Sequence, residues 1–272
     1  MSRAEQSRAE QSRAEQSRAE QSRAEQSRAE QPRFTVAWFS AGVSSAIATK
    51  LMIDEIDRII YTHIDDQHPD TLRFVKECEQ WFGKEVEILQ SPYKNVENAC
   101  RMSGGRGYIN GPGGAACTKF LKRRVRREWE LDYESEYQLR YIWGMDYGEK
   151  HRCERLNETM PDYEHAFPLV DREMTKEDAH KVLSASGIQR PAMYDLGYSN
   201  NNCIGCVKGG MGYWNKIRVD FPEVFWARAK MERLVQASCI KGVYLDELDP
   251  ERGRHEKPIV GDCGILCEVL AL

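Results

Sequence analysis

Two short stretches of this chain hold groups able to do chemistry. Cys203-Ile-Gly-Cys206 sets two thiols in a run rich in Asn and Gly. That spacing serves a redox pair, a zinc knuckle or a pair of iron–sulfur ligands, because each needs soft thiolate sulfur. Ser40-Ala-Gly-Val-Ser-Ser45 stands between an apolar, β-branched stretch, Phe34 to Phe39, and a segment with helical spacing, Ser44 to Ile56. A strand that turns through Gly and Ser straight into a helix aims backbone N–H groups and a helix N-terminus at one point, which suits an anion. The same sequence also makes an ordinary turn with a Ser cap. No Gly-Lys-Ser/Thr follows, which argues against a Walker-type nucleoside triphosphatase.

The elements that must position these groups alternate. After the strand and helix above, Arg58 to Ile64 reads as a second strand, Pro69 to Phe82 as a helix stopped by Gly83, and Glu85 to Leu89 as a third strand. This βαβαβ order predicts an α/β fold, a parallel twisted sheet with helices on both faces. Open sheets of this kind bind ligands at the carboxyl ends of their strands, so Trp38 to Ser40 and Thr62 to Asp65 are expected beside any nucleotide. Ser91 to Ala116 is rich in Gly and reads as a functional loop. A helix is predicted from Thr118 to about Trp129 and a fourth strand from Gln138 to Trp143. Thr175-Lys-Glu-Asp178 is a capping box opening a helix that stops near Gly187, and Pro222 to about Gln236 is a further helix.

Composition narrows the setting. Residues 1–31 are a Met and six copies of Ser-Arg-Ala-Glu-Gln, an apolar-poor tail expected to be disordered or weakly helical. Its period advances about 140° per repeat on a helix, so no apolar face builds up. The Glu in every unit argues against a mitochondrial transit peptide. No stretch nears the roughly 18 apolar residues of a membrane span, and a soluble, cytoplasmic protein is expected. In that compartment the nine cysteines are not a disulfide framework. A net charge of −4 gives no overall pull toward nucleic acid, although Lys119 to Arg127 is strongly basic. That run reads most simply as a solvated helix face. Cys78, Cys100, Cys153 and Cys239 read as small apolar fillers, with Cys78, Cys153 and Cys239 placed in helices.

Several collinear segments resemble one superfamily. Ser40 to Ser45 is similar to the PP-loop of ATP pyrophosphatases and of the phosphoadenosine phosphosulfate (PAPS) reductase family, both adenine nucleotide alpha hydrolase-like. Ile64-Asp-Asp-Gln-His-Pro-Asp-Thr-Leu-Arg-Phe74 resembles that family's second-strand segment. Gly144-Met-Asp-Tyr-Gly-Glu-Lys-His-Arg152 resembles its Gly…Glu/Gln…Arg segment. Phe167 to Asp178 and Pro191 to Tyr198 match its Pro-Leu…Thr-x-x-Asp and Pro-x-Tyr-x-x-Gly-Tyr runs, so the likeness spans most of residues 34–206. The chain departs at Val43-Ser44, where the reductases often have Lys-Asp and many pyrophosphatases have Asp in place of Ser44.

The resemblance implies a PP-loop domain over residues 32–200 and a cysteine-rich extension, 201–272, packed irregularly on the active edge. It implies nucleotide contacts from Ser40, Ala41, Gly42, Val43, Ser44, Ser45, Asp65, Gly144 and Arg152. The nucleotide would be PAPS, adenosine phosphosulfate or ATP, with Mg in the last case. Reductases of the family hold a [4Fe–4S] cluster with two adjacent cysteines and a later CxxC, which implies Cys117, Cys203 and Cys206 as ligands here. Ala116 replaces the other cysteine, and either Cys263 or Cys267 would complete the set or one iron would stay open, as in cluster-dependent tRNA thiolases of the same superfamily; zinc is the alternative metal. Asp262-Cys-Gly-Ile265 resembles the tail that supplies the reductases' nucleophile, making Cys263 the catalytic candidate, though Leu266 stands where they have His. Thioredoxin or glutaredoxin would be the reductant. Two other functions remain open: an ATP-dependent sulfurtransferase acting on tRNA or DNA, and a non-catalytic nucleotide- or nucleic-acid-binding module.

Overall fold

A computed structural model describes residues 31–102, 105–111 and 114–254. Five parallel strands form the central sheet: β1 (Arg33–Trp38), β2 (Arg58–His63), β3 (Val86–Gln90), β6 (Gln138–Ile142) and β7 (Glu164–Ala166), in the order β3-β2-β1-β6-β7. A separate two-residue ribbon, β4 (Asn110–Gly111) with β5 (Gly114–Ala115), is antiparallel. The central strand is β1, whose Val36-Ala37-Trp38 registers with Arg58-Ile59-Ile60 on one side and whose Arg33 to Ala37 registers with Gln138 to Ile142 on the other.

Being buried on both faces, β1 sends alternate side chains to two different cores. Ala37 and Phe39 pack with Ile59, Tyr61, Phe74 and Phe82 beneath α1 (Val43–Leu51), α2 (Asp70–Phe82) and α7 (Lys176–Ala185). Val36 and Trp38 pack with Trp129, Tyr141 and Leu156 beneath α4 (Arg124–Tyr133) and α5 (Lys150–Thr159). Each large side chain so enclosed contributes about 1.5–3 kcal/mol relative to exposure. The α/β class with helices on both faces is therefore as the sequence indicated. Gly83 ends α2 in the left-handed region at φ 68°, and the Thr175–Asp178 capping box opens α7.

A third core lies beyond the carboxyl end of β2. It joins Ile64, α3 (Val96–Arg101) and Ile109 to Cys203, Ile204 and Val207, and to α9 (Met211–Asp220) and α10 (Pro222–Val235) through Trp214, Ile217 and Phe225. Leu245 and Leu248 close it, held by Arg218, which donates to the Leu248 carbonyl at 2.7 Å. Two short helices, α6 (Pro168–Asp171) and α8 (Ala192–Asp195), connect the layers.

Three expectations need correction. Ser91 to Ala116 is not one long loop: Asn95 caps α3 by accepting from the Asn98 N–H, and β4–β5 follows. Lys122 and Arg126 are buried rather than solvated, because the helix lies flat on the β1–β6 face and its early turns run as a π-helix, Thr118–Arg123. Cys239 lies after α10, which ends at Gln236 with φ 54°, although it is buried as a filler should be.

Candidate functional site

In this strand order the chain steps from β1 outward through β2 to β3, then returns to β1's other side at β6. The crevice between β1 and β6 is thus the switch point at which an open α/β sheet leaves room for a ligand. Residues 40–45 follow β1 and Gly144 follows β6, so both walls of that crevice come from positions singled out in the sequence.

The turn has a specific internal structure. Ala41 adopts φ 58°, a left-handed conformation uncommon for a residue with a Cβ, at a fully buried position. Gly42 is extended and caps α1 by backbone alone. Ser40 donates its hydroxyl to Ser45 Oγ at 2.9 Å, and Ser45 in turn donates to the Gly42 carbonyl at 2.9 Å. The first turn of a helix leaves N–H groups without intrahelical acceptors. Val43 N–H is met by the Tyr194 hydroxyl at 3.3 Å. The backbone at Gly144 runs so close to this turn that a Cβ there would fall 2.4 Å from Ser45 Cα.

Residues 41–49 are all buried, while Ser40 is partly exposed, so the turn is open to solvent on the Ser40 side. Three polar atoms near the neighbouring strand ends are buried without partners among the described residues. Trp38 and Thr62 lie on the same sheet face by alternation from the Trp38–Ile60 pair, and Thr118 opens the π-helix near that edge. Trp38 Nε1, Thr62 Oγ1 and Thr118 Oγ1 are buried with no hydrogen-bond partner among the described residues. Groups buried in that way carry a desolvation cost that a bound ribose or base edge would relieve.

Asp65 accepts from Gln90 Nε2 at 2.7 Å and lies 3.8 Å from His63 Nε2, at the end of β2. Arg152 sits in the first turn of α5, nearly fully buried and hydrogen-bonded to Glu149. That pairing uses only part of the guanidinium's five-donor capacity, so a phosphate held by Arg152 would share it with Glu149. His68 Nδ1 accepts the Asp70 N–H at 3.1 Å, a capping role.

Cys203 and Cys206 form a buried knuckle on a left-handed Gly205, φ 70°. Tyr213 clasps it, its hydroxyl accepting from Cys206 N–H at 2.8 Å and donating to the Cys203 carbonyl at 3.3 Å. Ile204 N–H bonds the Asp66 carbonyl at 2.8 Å, which seats the knuckle at the end of β2. Burial, reinforced by neighbouring Cys203, pushes the Tyr61 hydroxyl well above its usual pKa, with Lys122 pulling the other way. Cys117 packs against the same third core and neighbours Tyr108.

Among the described residues, no three His, Cys, Asp or Glu side chains are grouped to hold a metal ion. Cys263 and Cys267 lie outside the described residues. The filler cysteines behave as such: burial pushes Cys100 and Cys153 up to about 12 and raises Cys78 and Cys239 as well, so all four stay protonated and unreactive at neutral pH.

Sequence reasoning missed Asn201, Tyr194 and Tyr213 as site residues. Asn201 Nδ2 donates to the Ala41 carbonyl at 2.8 Å, and Thr71 Oγ1 lies 3.2 Å from the same nitrogen. The run Asn200-Asn-Asn202, all buried in the fold, was the available signal, since three consecutive amides have no reason to be buried unless they bond backbone or one another.

Together the sheet order and the turn at its switch point define an α/β protein with a candidate anion site. No family model matches the chain, and no curated protein does. Among the described residues no helix is long and apolar enough to cross a membrane.

Proposed function

We propose that the protein is a PP-loop enzyme of the PAPS reductase type, which binds an adenine nucleotide at residues 40–45 and reduces an adenylyl sulfate with a thiol. The observation that carries this reading is the turn itself: a left-handed Ala41, serine hydroxyls and a helix start packed against Gly144 at the sheet's switch point, beside a cysteine knuckle. Phosphate oxygens would meet the α1 N-terminus, where N–H groups and helix dipole favour negative charge. The nucleoside would use the orphaned atoms of Trp38, Thr62 and Thr118.

The reaction at Cys263 would proceed through a covalent S-sulfocysteine and consume two thiols. Its thiolate attacks the sulfate sulfur, an S–S bond forms, the S–O bond to the nucleotide breaks, and the electron pair leaves with the adenosine phosphate. A second thiol, from reduced thioredoxin or glutaredoxin, attacks the Cys263 sulfur; the S–S electron pair departs with sulfite and a disulfide remains. An iron–sulfur or zinc site at Cys203 and Cys206 would draw on Cys117 as well, with a further thiol from Cys263 or Cys267 or with one iron left open.

Replacing Cys263 with Ser should lower sulfite release from PAPS or adenosine phosphosulfate by at least about a hundredfold while leaving nucleotide affinity within about twofold. Sulfite production that persists in this variant would overturn the assignment. A second reading, ATP-dependent sulfur transfer to tRNA or DNA, draws on the basic run Lys119 to Arg127, in which Lys119 is exposed and Arg123 half-buried. Closely spaced cations of this kind gain from a polyanion. Pyrophosphate release from ATP that rises on adding tRNA or DNA distinguishes the two, and iron and zinc analysis of anaerobically purified protein decides the metal.

A further inference from the structure

We propose that Asn201 is a positioning residue that makes the shape of the anion turn depend on the cysteine knuckle. The inference rests on reading residues 40–45 as the phosphate site. Asn201 is 3 % exposed and bonds two places at once, donating to the Ala41 carbonyl at 2.8 Å and meeting Thr71 Oγ1 at the start of α2 at 3.2 Å. Ala41 is the residue whose left-handed backbone lets the turn reverse into α1. A conformation of that kind persists only where its surroundings over-determine it, and the Asn201 bond is the fixing contact on its carbonyl.

Two residues beyond Asn201 the chain enters the knuckle, which is held independently by Tyr213 and by the Asp66 carbonyl. A displacement of Cys203 therefore moves the anchor of Asn201, and the Ala41 carbonyl with it. Neighbouring Asn200 accepts from Lys176 at the start of α7, so the segment is braced against sliding sideways and passes motion along its length. The knuckle and the turn then form one mechanical unit with two attachments. A change at the thiols is read out as a change in the phosphate-binding backbone.

The test is hydrogen exchange measured by mass spectrometry, together with ATP and PAPS titrations, on the full chain and four variants. Asn201→Ala should exchange the amides of residues 40–46 about tenfold faster and weaken nucleotide binding about tenfold. Peptides from β1's first half and from β6 should be unchanged, which separates a local effect from general loosening. Asn201→Asp keeps the volume and the acceptor toward Thr71 but replaces the donor toward Ala41 with an oxygen, so it should not rescue; full rescue would mean that the side chain merely fills space.

Tyr213→Phe removes the clasp on the knuckle without touching the turn, and should speed exchange of residues 40–46 by severalfold. That effect should vanish when combined with Asn201→Ala, as coupled sites do in a double-mutant cycle. Unchanged exchange at 40–46 in Asn201→Ala, or additive effects in the double variant, overturns the inference. If the exchange results hold while the wild-type chain binds neither ATP nor PAPS, the coupling stands and the nucleotide reading falls.

Discussion

Gly144→Ala should abolish adenine-nucleotide binding and lower stability by about 2–3 kcal/mol, the cost of overpacking a tight interior. The added Cβ would lie 2.4 Å from Ser45 Cα and 2.7 Å from Ser45 N and Cβ. These are backbone and near-backbone atoms, which cannot swing aside as the far end of a long side chain would. Either the β6 end or the first turn of α1 must retreat, and both line the crevice that is to hold the phosphates. Urea melts give the stability change, and calorimetric titration with ATP and PAPS gives the affinity. Wild-type affinity in a stably folded Gly144→Ala protein would show that the crevice between β1 and β6 is not where the nucleotide binds.

The second large effect concerns Arg228 on α10. Its guanidinium meets Asp66 at 2.8 Å with side-chain exposures of 5 % and 17 %, and the second Asp66 oxygen accepts the Val96 N–H at 2.7 Å. One carboxylate thus fastens α10 and the start of α3 to the end of β2, while its own backbone carbonyl seats the knuckle. Arg228→Met should cost about 2–4 kcal/mol, because it leaves the mostly enclosed Asp66 carboxylate without its cation. Asp66→Asn in the same protein removes that stranded charge, keeps an acceptor for Val96, and should restore a large part of the loss. Thermal or urea unfolding of wild type and the two variants decides it: a single variant within about 1 kcal/mol of wild type, or a double variant no better than the single, would show that the pair does not anchor the third core.

Much of the sheet was legible because its residues obey local rules. β1, β2 and β3 are apolar and β-branched, α2 ends at a left-handed Gly83, and α7 starts on a capping box, each readable from a few neighbours. β7 was not foreseen: Glu164-His-Ala166 is three residues long and becomes a strand by docking on Arg140 to Ile142, a contact no local pattern announces. α3 was hidden in a glycine-rich stretch whose apolar positions, Val96, Ala99 and Cys100, look too few for a helix until the third core covers them.

The site divides the same way. The turn at 40–45 and Gly144 were visible as types and spacing. Asn201, Tyr194 and Tyr213 were not, because they reach the site from distant parts of the chain and act by hydrogen bonds to backbone, which leaves no periodicity to detect. Lys122 and Arg126 misled for the opposite reason. A run of cations normally faces water, but a helix lying across a sheet must bury one side whatever residues occupy it.

The central position of β1 sets the order in which a nascent chain can assemble its binding pocket. β2 is available to pair with β1 early in synthesis, whereas the partner on β1's other edge, Gln138 to Ile142, and the Asn201 partner of the Ala41 carbonyl are made much later. At roughly 5–20 residues per second that delay lasts several seconds or more, during which an apolar strand edge lies open to other chains. Slowed translation between these segments would prolong the exposure, so expression yield should depend on chaperone supply during synthesis more than on the stability of the finished protein.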